Sequence, residues 1–338
     1  MSGALAADLL AWFAQTGRDL PWRRSGRPRD PYPAWVAEAM LQQTRVETVL
    51  PYYARWLRAF PDAGTLAAAP LDAVLAQWQG LGYYRRARNL HAGAQAVAAA
   101  GWPHTLAGWR ALPGVGPYMA AALASLCDGL DAAAVDGNAL RVLARLSGEE
   151  GAIDLPAVRV RLTGLANALL PPGRAGEWNE AVMDLGAAVC LPRRPRCGDC
   201  PVRRHCAAAA SGRAADLPAR RPRRPQPVED VAMAVALAPD GRICLQRRPD
   251  DALLGGLWVF PDPARLGLPP TAGWPLLAFT HVFTHRRWRI DGRLHRMDGP
   301  LPEAGDLRWL HPGAVDALAL AAPTRRLLDA AQRTLQIG

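Results

Sequence analysis

The sequence predicts a mainly α-helical protein in two parts: a helical region that closes on a cysteine-bound metal centre, and a small α+β domain behind it. Three observations carry this. Apolar residues recur at helical spacing from residue 4 to residue 189. Cys190, Cys197, Cys200 and Cys206 then follow at C-x6-C-x2-C-x5-C spacing. Beyond an Arg- and Pro-rich stretch at 211–228 the apolar period falls to two, the signature of half-buried strands.

A chain of 338 residues, 50% hydrophobic, has material for two or three cores. It has no run of eighteen apolar residues, so no membrane-spanning helix is expected. Residues 1–19 lack a basic stretch ahead of an apolar one, so no signal peptide is expected either, and a cytoplasmic chain keeps its thiols reduced. The net charge of +10 and pI near 10 favour a polyanionic partner such as nucleic acid. All 40 basic residues are Arg, which also fits a plain compositional bias. The chain contains no lysine, and hence no side-chain amine for Schiff-base chemistry.

Taken in order, Leu5, Leu9, Trp12 and Phe13 place an amphipathic helix over 4–17, followed by a turn at 18–23 and a polar loop at 24–31. Residues 33–60 read as one helix and the start of another, broken at Pro51. The first carries Glu38 between Trp35 and Met40. Poor solvation there raises a carboxyl pKa and suits a general acid or base; the pattern equally fits a Glu on the solvent face. Residues 65–100 give two helices joined at Gln79–Arg86. Its glycines allow a tight turn, and Tyr83 and Tyr84 beside arginines suit stacking on bases, or simply packing on a neighbouring helix.

Leu112-Pro113-Gly114-Val115-Gly116-Pro117-Tyr118 joins helices at 105–111 and 117–127. Gly114 and Gly116 can bare backbone N–H groups to a DNA phosphate in a helix–hairpin–helix arrangement, and an ordinary helix–turn–helix connection reads the same way. Asp136 is placed to cap a helix that buries Leu140, Val142, Leu143 and Leu146. Helices at 155–170 and 177–189 follow, the second bearing Asn179 and Glu180.

The four cysteines can close around a [4Fe–4S] cluster or a Zn²⁺ ion, and the loop between them is too rich in Pro and Arg for a core element. A disulfide pair is the remaining option, against a chain with no other mark of secretion. Residues 211–228, with five arginines and four prolines, read as a linker between domains at 1–210 and 229–338. Strands are expected at 229–237 and 242–247 around a Pro239-Asp240-Gly241 turn, and after the Gly255-Gly256 turn. A further strand at Phe279–His285 carries Phe279, His281, Phe283 and His285 on one face, and a closing helix is expected at 323–335.

These pieces resemble one family. The hairpin, an Asp 20 residues after Gly116, and the cysteine ladder are similar to the endonuclease III superfamily of DNA glycosylases. Three features resemble its MutY-type adenine DNA glycosylases: Leu20-Pro21-Trp22-Arg23 with Glu38-Ala39-Met40-Leu41-Gln42-Gln43-Thr44; Gly80-Leu81-Gly82-Tyr83-Tyr84; and a C-terminal domain with Gly255-Gly256-Leu257-Trp258 and Phe283-Thr284-His285. The resemblance implies a two-lobed helix–hairpin–helix domain with a [4Fe–4S] cluster held by Cys190, Cys197, Cys200 and Cys206, and a Nudix-like α+β domain. It implies a monomeric, cytoplasmic, nucleoid-associated bacterial enzyme that removes adenine opposite 8-oxoguanine or guanine in double-stranded DNA.

By the same resemblance Glu38 protonates the flipped adenine and Asp136 stabilises the charge developing on the sugar, with Tyr118 and Asn138 in support. Arg18, Trp22, Arg23, Leu41, Glu180 and Met183 match the adenine pocket. Gln43 and Tyr83 match groups wedged into the base stack, Gly114 and Gly116 the backbone contact, and Thr284 the reader of 8-oxoguanine. Three departures matter. Tyr118 stands where the lyase branch carries a lysine, which implies a monofunctional enzyme. Thr284 replaces the usual Ser. Residues 255–275 lack a glutamate-rich helix, so no pyrophosphohydrolase activity is expected.

Overall fold

The computed structural model describes residues 2–222, 225–299, 305–315 and 318–335. Arg223 and Arg224 of the expected linker lie outside the described residues. The helices are α1 (Ser2–Thr16), α2 (Pro31–Leu41), α3 (Val46–Ala59), α4 (Ala63–Ala68), α5 (Leu71–Trp78), α6 (Arg85–Ala100) and α7 (Leu106–Ala111). They continue with α8 (Pro117–Cys127), α9 (Gly137–Ser147), α10 (Pro156–Leu169), α11 (Ala175–Ala188), α12 (Ala207–Ala210), α13 (Pro312–Val315) and α14 (Ala322–Leu335). The strands are β1 (Val228–Leu237), β2 (Ile243–Arg247), β3 (Trp258–Val259), β4 (Trp274–Val282), β5 (Arg287–Arg296) and β6 (Leu307–Leu310).

Contacts divide the chain into two compact units, residues 1–67 with 92–223, and residues 68–91 with 224–338. In the first, the apolar stripe of α1 (Leu5, Leu9, Leu10) meets Leu140 and Leu143 of α9, Leu162 of α10, and Trp178 and Leu185 of α11. Each such side chain contributes roughly 1.5–3 kcal/mol by leaving water. The α7–α8 hairpin has its own local determinants. Thr105 caps α7 by accepting a 3.0 Å bond from the Gly108 amide, Gly114 takes the left-handed backbone (φ 76°), and Pro117 opens α8. The alanine-rich α8 is buried from Met119 to Leu126.

Two breaks fall where the sequence pattern did not put them. The chain turns at Gln42–Arg45, and Pro51 lies inside α3, its ring on the exposed side where the freed carbonyl meets water. Pro70 splits the expected helix at 65–78 into α4 and α5. Part of the expected linker is packed onto the first unit. Leu217 is buried, the Ile153 amide donates to the Ala219 carbonyl at 3.0 Å, and Arg221 pairs with Asp154 at 2.7 Å.

The second unit is built on a six-stranded sheet in the order β3-β2-β1-β5-β4, with β6 also on β2. β1 runs parallel to β5 from Val228 opposite Arg287 to Leu237 opposite Arg296. Both faces of β1 are covered. Met233 and Val235 meet Leu327 and Leu328 of α14, while Ala234 and Ala236 meet Leu266 and Trp309. That explains the unbroken apolar run of this strand. β4 stops at Val282. The Phe283 amide donates to the Arg286 carbonyl (2.9 Å), so Thr284 and His285 stand exposed in a hairpin turn, and His285 does not continue the face of Phe279, His281 and Phe283. Pro263–Leu266 forms a single 3₁₀ turn.

Residues 68–91 join this unit through Arg88, which pairs with Asp250 at 3.0 Å beside the Gly255-Gly256 turn. A Cβ on Gly255 would lie 2.4 Å from the Asp250 carbonyl oxygen, a backbone atom that cannot step aside. Gly255→Ala is expected to destabilise the second unit by about 1–3 kcal/mol. A urea unfolding curve superposing on the parent's would show the turn to be more pliable than its geometry.

Candidate active site

Asp30 caps α2 by accepting a 3.0 Å bond from the Tyr32 amide, and Pro31 fixes its first turn. The helix then buries Trp35, Val36 and Met40, and Glu38 with them at 8% exposure. Of the two readings open for this residue, the solvent face is therefore excluded. Asp136 caps α9 as expected, accepting from the Ala139 amide at 2.7 Å. Tyr118, in the first turn of α8, donates its phenol to Glu38 Oε2 at 2.9 Å. These three side chains, from helices far apart in sequence, line one cavity of 780 Å³. Asn138, Arg18, Trp22, Arg23, Leu41, Gln43, Glu180 and Met183 line it too. A volume of that order accommodates a nucleoside.

The two carboxyls are set differently. Burial pushes Glu38 up to about 7, against the pull of the Tyr118 phenol, and the nearby Asp136 and Glu180 add to the rise. Burial also raises Asp136, but the amides of Ala139 and Asn138 at the helix start, and the Asn138 side chain, hold it down. Burial and the neighbouring carboxyls lift the Tyr118 phenol well above its ordinary value, so it stays a donor. Asn138 is itself oriented. Arg141 donates to Asn138 Oδ1 at 3.0 Å, leaving the amide nitrogen to face Asp136, and also to the carbonyls of Cys190 and Gly186, each at 2.8 Å.

The floor of the cavity is a buried ionic network that the sequence pattern revealed only in part. Glu180 pairs with Arg23 (3.0 Å), Arg29 (2.9 Å) and Arg27. Asp184 pairs with Arg18 (2.6 Å) and Arg23 (2.8 Å). Arg27, Arg29 and Asp184 were missed. The available signal was the four-residue spacing of Glu180 and Asp184, which puts both carboxylates on one face of α11 opposite an Arg-rich loop. Removing Glu180 would take from the buried Arg29 its carboxylate partner, at a cost of about 3–5 kcal/mol.

The four cysteines line one further cavity behind α9. Arg145, 1% exposed, donates to Cys190 Sγ at 3.2 Å and to the carbonyls of Leu191, Pro192 and Leu217. Among the described residues no group of three or more His, Cys, Asp and Glu is drawn together as a single-ion site requires. The four thiols share one space, and both a [4Fe–4S] cluster and a Zn²⁺ ion take thiolate ligands.

Tyr83 and Thr284 lie in the second unit, where their hydroxyls share a hydrogen bond. Gln43 (φ 58°) and Tyr83 (φ 49°) both hold left-handed backbone, which costs a side-chain-bearing residue about 1–3 kcal/mol and clusters at functional sites. Gly114 and Gly116 stand exposed at the start of α8. Gly116 is extended, so only Gly114 needs glycine's freedom.

Comparison with known proteins adds a second line of evidence. The chain is 35% identical to the adenine DNA glycosylase of Mus musculus over 92% of its own length and 67% of the mouse protein. It belongs to the adenine DNA glycosylase family. The adenine DNA glycosylase of Mycolicibacterium smegmatis is 41% identical over 64% of this chain and 73% of that one. Residues 36–167 match the HhH-GPD superfamily of base excision DNA repair proteins, and residues 232–330 match the NUDIX domain. In three dimensions a thermostable thymine-DNA glycosylase superposes with a TM-score of 0.56 and 28% identity, covering 62% of this chain and 97% of that one. Membership thus agrees with the helical glycosylase domain and the Nudix-like sheet domain expected from the motifs. This adenine DNA glycosylase homologue is a base excision repair enzyme by family.

Proposed function

We propose that this chain hydrolyses the N-glycosidic bond of adenine paired with 8-oxoguanine or guanine in duplex DNA. The observation that carries the reading is the pair of carboxyls, buried Glu38 and half-buried Asp136, on one cavity large enough for an extruded nucleoside. The adenine nucleotide leaves the stack and enters the cavity. Glu38, half protonated near neutrality, gives its proton to a ring nitrogen of the base. The bond from the sugar C1′ to the base then breaks with its electron pair on the base. Asp136, ionised, faces the positive charge on the sugar until water adds at C1′. Tyr118 holds Glu38 in place, and the Arg18–Arg23–Glu180–Asp184 network forms the polar wall against the base. Gln43 and Tyr83 enter the stack beside the extruded base, and the exposed start of α8 at Gly114 and Gly116 takes a backbone phosphate.

Excision assays on duplexes carrying A opposite 8-oxoguanine, A opposite G, T opposite G, and thymine glycol test the reading. Base loss confined to the first two supports it, and loss of a pyrimidine overturns it. With no lysine in the chain, borohydride is expected to trap no enzyme–DNA adduct. Trapping in high yield would refute monofunctional chemistry. Thr284 carries the preference for the lesion from the exposed hairpin, where its hydroxyl also bonds to that of Tyr83. Thr284→Val keeps the shape and removes the hydroxyl, and should cut the rate ratio between 8-oxoguanine and guanine opponents about tenfold. An unchanged ratio would remove Thr284 from lesion recognition.

Cys190, Cys197, Cys200 and Cys206 would hold a [4Fe–4S] cluster, with Arg145 beside the Cys190 sulfur. Bound there, such a cluster supplies folding energy to the loop rather than a step of the reaction. Iron content with a broad visible absorption band in purified protein is the expected result. Zinc in stoichiometric amount would contradict it.

A further inference from the structure

The turn at 79–84 is held by an arginine from the helix that follows it. Arg86 sits in the first turn of α6, where a cation opposes the helix dipole, and it is only 8% exposed. Its guanidinium donates to the Leu81 and Gly82 carbonyls, each at 3.1 Å. It also lies 5.2 Å from the Trp78 ring centre and 5.4 Å from that of Tyr83, within cation–π reach of both. Trp78, fully buried, donates its indole N–H to the same Gly82 carbonyl at 3.0 Å. The backbone between them is left-handed at Gly80, Gly82 and Tyr83. Such a sequence of angles turns the Leu81 and Gly82 carbonyls towards one side, where no strand or helix ladder receives them.

We propose that Arg86 is a positioning residue for Tyr83: it clamps the two carbonyls before the tyrosine, stacks on its ring, and so holds the ring ready to enter the base stack. The inference rests on the role of Tyr83 given above. Arg86 is suited to this because one guanidinium nitrogen, Nη2, meets both adjacent carbonyls while the delocalised planar group stays within reach of two rings, a stacking that a lysine ammonium does not offer. Burial lowers its pKa to about 10, which leaves it charged at neutral pH. The strain of a left-handed tyrosine is offset by these bonds rather than by the local sequence. Arg86 touches no reacting atom, so its removal should spare the carboxyl chemistry and disturb only delivery of the base.

The test uses the full-length enzyme and an A:8-oxoguanine duplex with 2-aminopurine beside the lesion, whose fluorescence rises when the stack is opened. At saturating enzyme Tyr83→Ser, Arg86→Met and Arg86→Lys should each reduce the fluorescence step severalfold and slow single-turnover excision about tenfold. The Tyr83→Ser/Arg86→Met double variant should be no slower than the slower single variant. Arg86→Lys keeps charge and bulk, and carries the comparison where Arg86→Met folds poorly. If the two losses multiply, or the fluorescence step of the Arg86 variants matches the parent's, Arg86 does not act through Tyr83. If Tyr83→Ser itself leaves step and rate unchanged, the wedge reading fails and the inference falls with it.

Discussion

Glu38→Gln is expected to abolish most base excision and, above pH 7, to make the protein more stable. The two effects have one cause. Glu38 is buried, and its pKa rises from 4.5 to about 7. The native state therefore keeps a proton that the unfolded chain gives up between those values. Stability falls as pH rises through that window, and above about pH 7 the buried carboxylate costs about 3 kcal/mol. Glutamine matches its shape and carries no charge. The variant should gain up to about 3 kcal/mol at pH 8 and nothing at pH 4, where the acid is protonated in both states. The same substitution removes the proton donor, at a cost of about 10²–10⁴ in single-turnover rate. In the parent enzyme the rate should fall about tenfold per pH unit above pH 7, as the proton is lost. Denaturation at two pH values and a rate profile measure both halves. A flat rate profile across pH 7, or a variant destabilised at pH 8, would remove Glu38 from the role of acid.

Asp136→Asn is expected to reduce excision by at least about 10³-fold while leaving duplex binding intact. Asparagine caps helices as well as aspartate does, so the 2.7 Å bond from the Ala139 amide survives and α9 keeps its start. Only the negative charge facing the sugar is lost. The substitution thus separates the two tasks of one side chain, capping and catalysis. Catalysis within tenfold of the parent would mean that the cap was its whole function.

The sequence exposed the chemistry more clearly than the architecture. The cap at α9 and the Gly114 turn rest on local signals, a cap before an apolar stripe and a glycine needing positive φ, whereas the pairing of Glu38 with Asp136 comes from the family resemblance, since the local pattern also fits a solvent-facing Glu38. What it concealed depends on distant contacts. Strand β5 hides its inward Trp288, Ile290 and Leu294 between arginines, and its parallel pairing with β1, encoded about sixty residues away, has no local signal. Arg27 and Arg29 look like loop arginines until Glu180 arrives from α11. Proline was over-read at Pro51, where exposure makes it tolerable, and the turn after α2, with Gln42 as cap and Gln43 left-handed, gives no compositional warning.

The grouping of residues 68–91 with the C-terminal residues bears on how this enzyme can be cut and recombined. Two bonds tie this segment to the C-terminal residues: Arg88 pairs with Asp250, and the Tyr83 hydroxyl shares a hydrogen bond with that of Thr284. A hybrid that exchanges 229–338 for the matching part of a relative must keep partners for Arg88 and Tyr83. One that does not will pair Arg88 with a stranger's loop and leave Tyr83 without its hydroxyl neighbour.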